Sequence, residues 1–265
     1  MIPNLKIQGE HEMAFFNNKK NTPIKNTPAQ QKPTASPTQP PKPSTATVIS
    51  KGIRVAGDIS GADFVQIDGV LDGNIAVDNV TIGRSGVVNG KIKAKNVAIE
   101  GELKGEIDCI DLEIKKSGKV SHKIDAVNLL IHGNVNADVN TEKTVTVAKG
   151  GFIKAQTIQS KKIVINGTVD GKVHASEIIE VGHDGKTKTD RLESKKVVVN
   201  GKIDGKITAS ELLEVGKNGF VQGEITVKNI KTEEGGRVIG TMVTYEETKK
   251  LTNNNDNEII DTETA

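Results

Sequence analysis

Tryptophan is absent from this chain of 265 residues, and the aromatic residues together make up only 2% of it. An interior without large rings has to be narrow, and it must be layered from Val, Ile and Leu. Cysteine occurs once, at Cys109, so no disulfide can close within the chain, and a reducing cytoplasm is the expected compartment. No apolar run approaches the roughly 18 residues of a membrane-spanning helix, and no signal-peptide core stands near the amino end. Neither membrane insertion nor secretion by that route is therefore expected. A charge of one sign is lacking too. The formal net charge is +2, with acids and bases mixed through the middle of the chain, which argues against nucleic acid as a partner. Helical periodicity is also missing, because glycine returns too often for any ten-residue window to keep a 3.6-residue period.

What is present is a repeat. In the frame φ-x-G-x-φ, where φ is aliphatic, twelve units follow one another from Val55-Gly57-Ile59 to Val238-Gly240-Met242 at steps of 15 to 18 residues. That step is too long for a hairpin meander and too short for a strand-helix-strand unit, but it suits one turn of a β-solenoid. A larger period lies on top: the segment 163–185 recurs 34 positions later as 197–219, so the duplicated module is a pair of turns. The sequence predicts an all-β fold, a parallel β-helix of about 12 turns of about 17 residues, right-handed by the usual chirality of parallel crossovers. Gly, Asn or Asp every few residues should cut each turn into strands of four or five residues, with Asp68, Asn166 and Asn200 forming turn hydrogen bonds of their own. Glycine holds the centre of eight of the twelve units, and His122, Ala137, Ala155 and Thr189 hold the others. The unit Thr187-Thr189-Arg191 puts polar residues where its counterparts 34 positions on are Val221, Gly223 and Ile225, so either Leu192 replaces Arg191 or the turn bulges open.

Three regions follow. Residues 1–47, with six Lys against two Glu and Pro23, Pro28, Pro33, Pro37, Pro40, Pro41 and Pro43, read as a disordered, partly polyproline tether. Residues 48–247 form the solenoid, and residues 248–265 a disordered acidic tail. Within the tether, segment 13–20 holds a candidate membrane contact. Met13, Phe15 and Phe16 would enter the interface, and Lys19 and Lys20 would lie near anionic headgroups. Met13 is also a candidate translation start, since Gln8-Gly9-Glu10 can be encoded by a ribosome-binding sequence.

The wording of the repeat, in particular Ile67-Asp-Gly-Val-Leu-Asp-Gly-Asn-Ile75, Val80-Thr-Ile-Gly-Arg-Ser-Gly-Val-Val-Asn-Gly-Lys-Ile92 and Val97-Ala-Ile-Glu-Gly-Glu-Leu-Lys-Gly-Glu-Ile107, resembles the bactofilins. These are bacterial polymer-forming cytoskeletal proteins. The resemblance covers about 48–243, and the core is extended relative to the usual family core by extra double-turn copies. It implies a right-handed β-helix and end-to-end assembly, without nucleotide, into nonpolar filaments. It further implies attachment to the cytoplasmic face of the inner membrane in many members, and roles in cell shape and in positioning envelope proteins or wall-synthesis enzymes. Self and membrane lipids are then the expected partners.

Physics makes polymerisation natural on its own account, because the first and last turns of a solenoid expose unpaired strand edges and an open apolar core. The candidate polymerisation residues are Val55 and Ile59 at the amino end and Val238, Ile239, Met242 and Val243 at the carboxyl end. No cofactor, metal or catalytic group is expected. His122, His132, His174 and His183 stand in different modules without metal-ligand spacing, and Cys109 has no histidine partner motif. Rival functions are a left-handed hexapeptide-type acyltransferase, which would need a strict six-residue period, and a secreted solenoid adhesin or carbohydrate lyase, which would want a signal peptide and aromatic platforms.

Overall fold

The computed structural model describes residues 46–61 and 63–246. The segments 1–45 and 247–265, and with them the 13–20 motif, lie outside the described residues. Strand structure begins at Ala46, two residues before the expected start of the solenoid. No helix occurs among the described residues. The strands are β1 (Ala46–Ile49), β2 (Arg54–Ala56), β3 (Ile59–Ser60), β4 (Phe64–Ile67), β5 (Val70–Asp72), β6 (Ile75–Ala76), β7 (Asn79–Ile82), β8 (Val87–Asn89) and β9 (Ile92–Ile99). They continue as β10 (Glu102–Ile114), β11 (Lys119–Ile131), β12 (Asn134–Val147), β13 (Phe152–Ile165), β14 (Thr168–Val181), β15 (Lys186–Val199), β16 (Lys202–Val215), β17 (Phe220–Thr232) and β18 (Arg237–Thr244). Their pairings are parallel, each turn resting on the one before it.

Every turn presents the same inward positions to a shared core. One column runs from Val55 through Leu71, Val88 and Leu103 to Val221 and Val238. A second runs from Ile59 through Ile75, Ile92 and Ile107 to Ile225 and Met242. On the third face, Val65 and Ile67 are followed by Val80 and Ile82, and at the far end by Leu213 and Val215. Nearly all of these side chains are fully buried in the middle of the stack. Twelve turns at the spacing of paired strands give a rod about 55 Å long.

The expected strands of four or five residues hold only near the amino end. From β10 onward the ladder runs through two of the three corners, giving strands of 13 or 14 residues up to β17. The remaining corner, between the Ile67-type and Leu71-type positions, comes in two lengths, and this accounts for the 34-residue module. Four-residue corners at 83–86, 115–118, 148–151, 182–185 and 216–219 alternate with two-residue corners at 68–69, 100–101, 132–133, 166–167 and 200–201. Each long corner is closed by the N–H of its fourth residue donating to the C=O of its first, as from Gly219 to Gly216 at 2.8 Å. Each short corner nests over a long one so closely that a Cβ on Gly201 would collide with the carbonyl oxygens of Gly182 and Gly185. Asn166 and Asn200 place their side-chain oxygens against Gly182 and Gly216 of the following long corner. Their role is packing between turns, where the sequence had suggested turn hydrogen bonds of their own.

The central glycine of the frame answers to a similar contact. A Cβ on Gly205, at φ +136°, would fall on the carbonyl oxygen of Thr189. Where glycine gives way to Ala155 or Thr189, the chain adds one residue. Ile158 takes the inward place expected for Thr157, and Leu192 takes that of Arg191, with register shifts at both sites. The two alternatives posed for the polar turn therefore occur together: Leu192 replaces Arg191, and the strand bulges to let it.

Candidate assembly surfaces at the two ends of the solenoid

At the amino end β1, β2 and β3 rest on β4, β5 and β6 and have no strand on their outer side among the described residues. At the carboxyl end, among the described residues, β18 pairs with β17 alone, and the segment Asn229–Thr232 pairs only with Leu212–Val215. Both ends thus present backbone donors and acceptors along an open edge. Inside each edge lies the end of the core. Val55 and Ile59 are half-buried, as is Val238, while Met242 is 48% exposed. Their counterparts one turn inward, Leu71, Ile75, Val221 and Ile225, are covered.

The six candidate residues separate into two sets. Val55, Ile59, Val238 and Met242 continue core columns and form the apolar centre of the end faces. Ile239 and Val243 stand in register with Gln222 and Thr226 and point to the outside of the rod, so they lie on its flanks beside the edge. Alternation within a strand already requires this, since neighbours of inward residues face outward. One residue went unnoticed in the sequence. Ile230, 38% exposed, extends the Leu213 column to the carboxyl face. The matching signal is its place one repeat after Leu213. The membrane-contact candidates Met13, Phe15, Phe16, Lys19 and Lys20 lie outside the described residues.

Two ion pairs near the ends run along the rod rather than across an end. Arg54 holds Asp72 at 2.7 Å, and hydrogen bonds from Asn89 and then Arg54 keep that carboxyl below the usual carboxylate range. Lys231 meets Glu214 at 2.8 Å and, as the main cause, lowers its pKa in the same way. The end faces are left apolar at the centre, with backbone polarity at the rim.

Elsewhere, no three His, Cys, Asp or Glu side chains come together in a metal-binding group among the described residues. His122 and His132 lie on one turn at different corners, His183 lies on another turn, and His174 approaches Glu193 at 3.5 Å. Cys109 belongs to the core. Burial, reinforced by Asp108 and Asp111, pushes its thiol up to about 12, which leaves it protonated and unreactive at neutral pH.

A model of the bactofilins, described as polymer-forming cytoskeletal, matches the chain three times, over residues 47–131, 125–191 and 177–243. No curated protein and no solved structure gives a significant match. The three overlapping matches tile the solenoid from end to end, and none spans half of it, which agrees with the extra pairs of turns in the repeat. The chain belongs to the bactofilin family of polymer-forming cytoskeletal proteins.

Proposed function

We propose that this bactofilin is a structural scaffold whose subunits join end to end, without nucleotide or metal, through the terminal turns of the solenoid. The observation that carries this reading is the pair of open ends: an edge of unpaired backbone around a partly exposed core at each extremity of the described chain. A full aliphatic side chain gains about 1.5–3 kcal/mol on burial, so the half-covered residues of two facing ends supply several kcal/mol. Association costs about 4–15 kcal/mol, so apolar burial alone does not hold a junction, and backbone pairing along the edges must add to it. A junction balanced in this way is sensitive to a single charge.

The chemistry of the 13–20 segment supports membrane attachment of the polymer, with Phe15 and Phe16 in the interface and Lys19 and Lys20 at the headgroups. One such patch binds weakly, and a filament multiplies it. In this reading the filament lies on the cytoplasmic face of the inner membrane and positions envelope proteins or wall-synthesis enzymes, with consequences for cell shape.

The test is Met242→Arg in the full chain. An unpaired charge buried at a dry junction costs several kcal/mol after relaxation. Electron microscopy should show wild-type filaments replaced by short species joined only through the amino ends, with circular dichroism unchanged. Lys206→Arg, on a solvated flank, should leave filament length unaltered. Filaments of wild-type length from the Met242→Arg protein would rule out this end as a junction. Phe15→Ser with Phe16→Ser should weaken flotation with vesicles while leaving filaments intact.

A further inference from the structure

The three outward flanks of the rod differ in how their charges are answered. On the flank formed by residues either side of the Leu71 column, the turns from β11 onward carry Lys119, Lys154, Lys186, Lys188, Lys202 and Arg237 against only Asp170 and Asp204. None of those six bases makes an ion pair among the described residues, and all are exposed. On the other flanks several bases are paired: Lys162 meets Glu180, Lys196 and Lys231 meet Glu214, Lys123 meets Asp125 and Lys206 meets Glu224. Bases without a pair there, such as Lys172, share their flank with acids such as Asp125, Glu193 and Glu224.

On the basic flank, Lys186 lies directly beside Lys202 in the ladder, and Arg237 follows one turn after Phe220. Like charges placed opposite one another destabilise a sheet, so the fold gains nothing from this column. The same flank carries two of the three phenylalanines of the solenoid, Phe152 and Phe220. They occupy one register column four turns apart, about 19 Å at the spacing of paired strands, and point to the same side. Phe152 is 37% exposed, and the Lys202 ammonium stands 5.2 Å from the Phe220 ring centre.

We propose that this flank is a membrane-contacting surface in its own right, which lies flat against the headgroups of an anionic bilayer. The partner must be anionic and must also accept apolar rings. It must be planar as well, because rings and ammonium groups spread over a flat face can be met together only by an extended surface. Aromatic rings about 19 Å apart suit successive stacked bases poorly, which disfavours a nucleic-acid strand. Lysines can reach phosphates while their stems and the phenyl rings rest at the interface. The inference is independent of the 13–20 segment, and it fixes which side of a filament faces the lipid.

The chain has no tryptophan, so Phe220→Trp in the full-length protein creates a single reporter. Phe64→Trp, on a different flank, is the control. With vesicles of phosphatidylcholine and phosphatidylglycerol, the Phe220→Trp emission should shift to the blue and become protected from aqueous quencher, while the Phe64→Trp emission stays unchanged. In full-length protein carrying Phe15→Ser and Phe16→Ser, flotation with these vesicles should persist. Adding Lys186→Glu and Lys202→Glu should then lower the apparent affinity about thirtyfold or more, at about fivefold per lysine removed. Lys172→Glu with Lys206→Glu, on the charge-balanced flank, should change it little, and electron microscopy would verify that each variant still forms filaments. If vesicles bind without altering the Phe220→Trp emission, the flank is not the contact, and attachment through 13–20 stands unaffected. A shift produced by nucleic acid and not by vesicles would also overturn the proposal.

Discussion

The turns before Ile131 and the turns after it are built on one plan with different interiors. In the first group the buried positions are apolar throughout, as in Val97, Ile99, Leu103, Ile107 and Cys109 of a single turn. In the second group the core admits Thr141, Ser160, Thr187, Thr189 and Ser194, which are all the buried polar side chains among the described residues. Thr141 and Ser160 answer each other at 2.8 Å, and Ser160 also donates to the Lys143 carbonyl. In the turn containing Thr187 and Ser194 the hydroxyls of those two residues have no partner among the described residues. That is also the turn in which Thr189 replaces the corner glycine and the strand bulges. A solenoid tolerates such a turn because each turn touches only its neighbours, so the defect is held between apolar layers such as Ile179 and Ile203. The comparison therefore teaches that periodicity sets the architecture, whereas stability varies turn by turn.

The largest effect should come from breaking the corner. Gly205→Val places a branched side chain at φ +136° against the Thr189 carbonyl, and a loss of about 3 kcal/mol or more is expected. Inserting one residue after position 205 in the same variant should restore part of that loss, because Ala155 and Thr189 are accommodated by an extra residue in the same place. Thermal melts followed by circular dichroism would measure both. An insertion that only worsens the damage would sever the link between side chain and bulge.

A smaller effect of opposite sign should follow from repairing the polar turn. Thr187→Val keeps the shape of the side chain and removes a buried hydroxyl without a partner, which should raise stability by about 1–2 kcal/mol. Hydrogen exchange should show the gain concentrated around β15, the region expected to open first in the unaltered rod. If protection there already equals that of β10, the polar turn is no weak point.

Much of this was legible in the sequence, and the exceptions have physical causes. The φ-x-G-x-φ frame located every turn because glycine is required where one backbone crosses close over another, so the residue type reports the contact. The 34-residue period was equally visible, but the alternation of long and short corners that produces it appears only when Gly201 is seen nested over Gly182 and Gly185. The frame failed at Thr157 and Arg191, since it assumed a constant count of residues and the chain adds one where Ala155 and Thr189 occupy the corner, though not at His122 or Ala137. At the ends, Val55, Ile59, Val238 and Met242 were readable from the frame. Ile239 and Val243 were grouped with them by apolarity, although strand alternation turns them outward. The basic flank escaped notice because bases spaced a turn apart are scattered along the sequence and meet only in the stack.

The finest distinction concerns His122 and Ala137, which replace the corner glycine on adjacent turns and look equivalent in the sequence. His122 keeps the glycine-like backbone, at φ +97°, whereas Ala137 is buried without a positive φ. An L-residue held in the left-handed region is strained by about 1–2 kcal/mol, and glycine removes that strain while adding about 0.5–1 kcal/mol of unfolded-chain entropy. His122→Gly should therefore stabilise the rod slightly, by about 0.5–1 kcal/mol, or an increase of about 1–3 °C in Tm for a domain of this size. At Ala137 there is no strain to relieve, so Ala137→Gly keeps only the entropic penalty and loses buried methyl contact, and its Tm should fall by a similar amount. Opposite signs at two neighbouring positions of one column would show that backbone conformation, rather than the identity of the missing residue, decides the cost of leaving glycine. Equal signs would mean that His122 is held by contacts of its side chain that offset its strain.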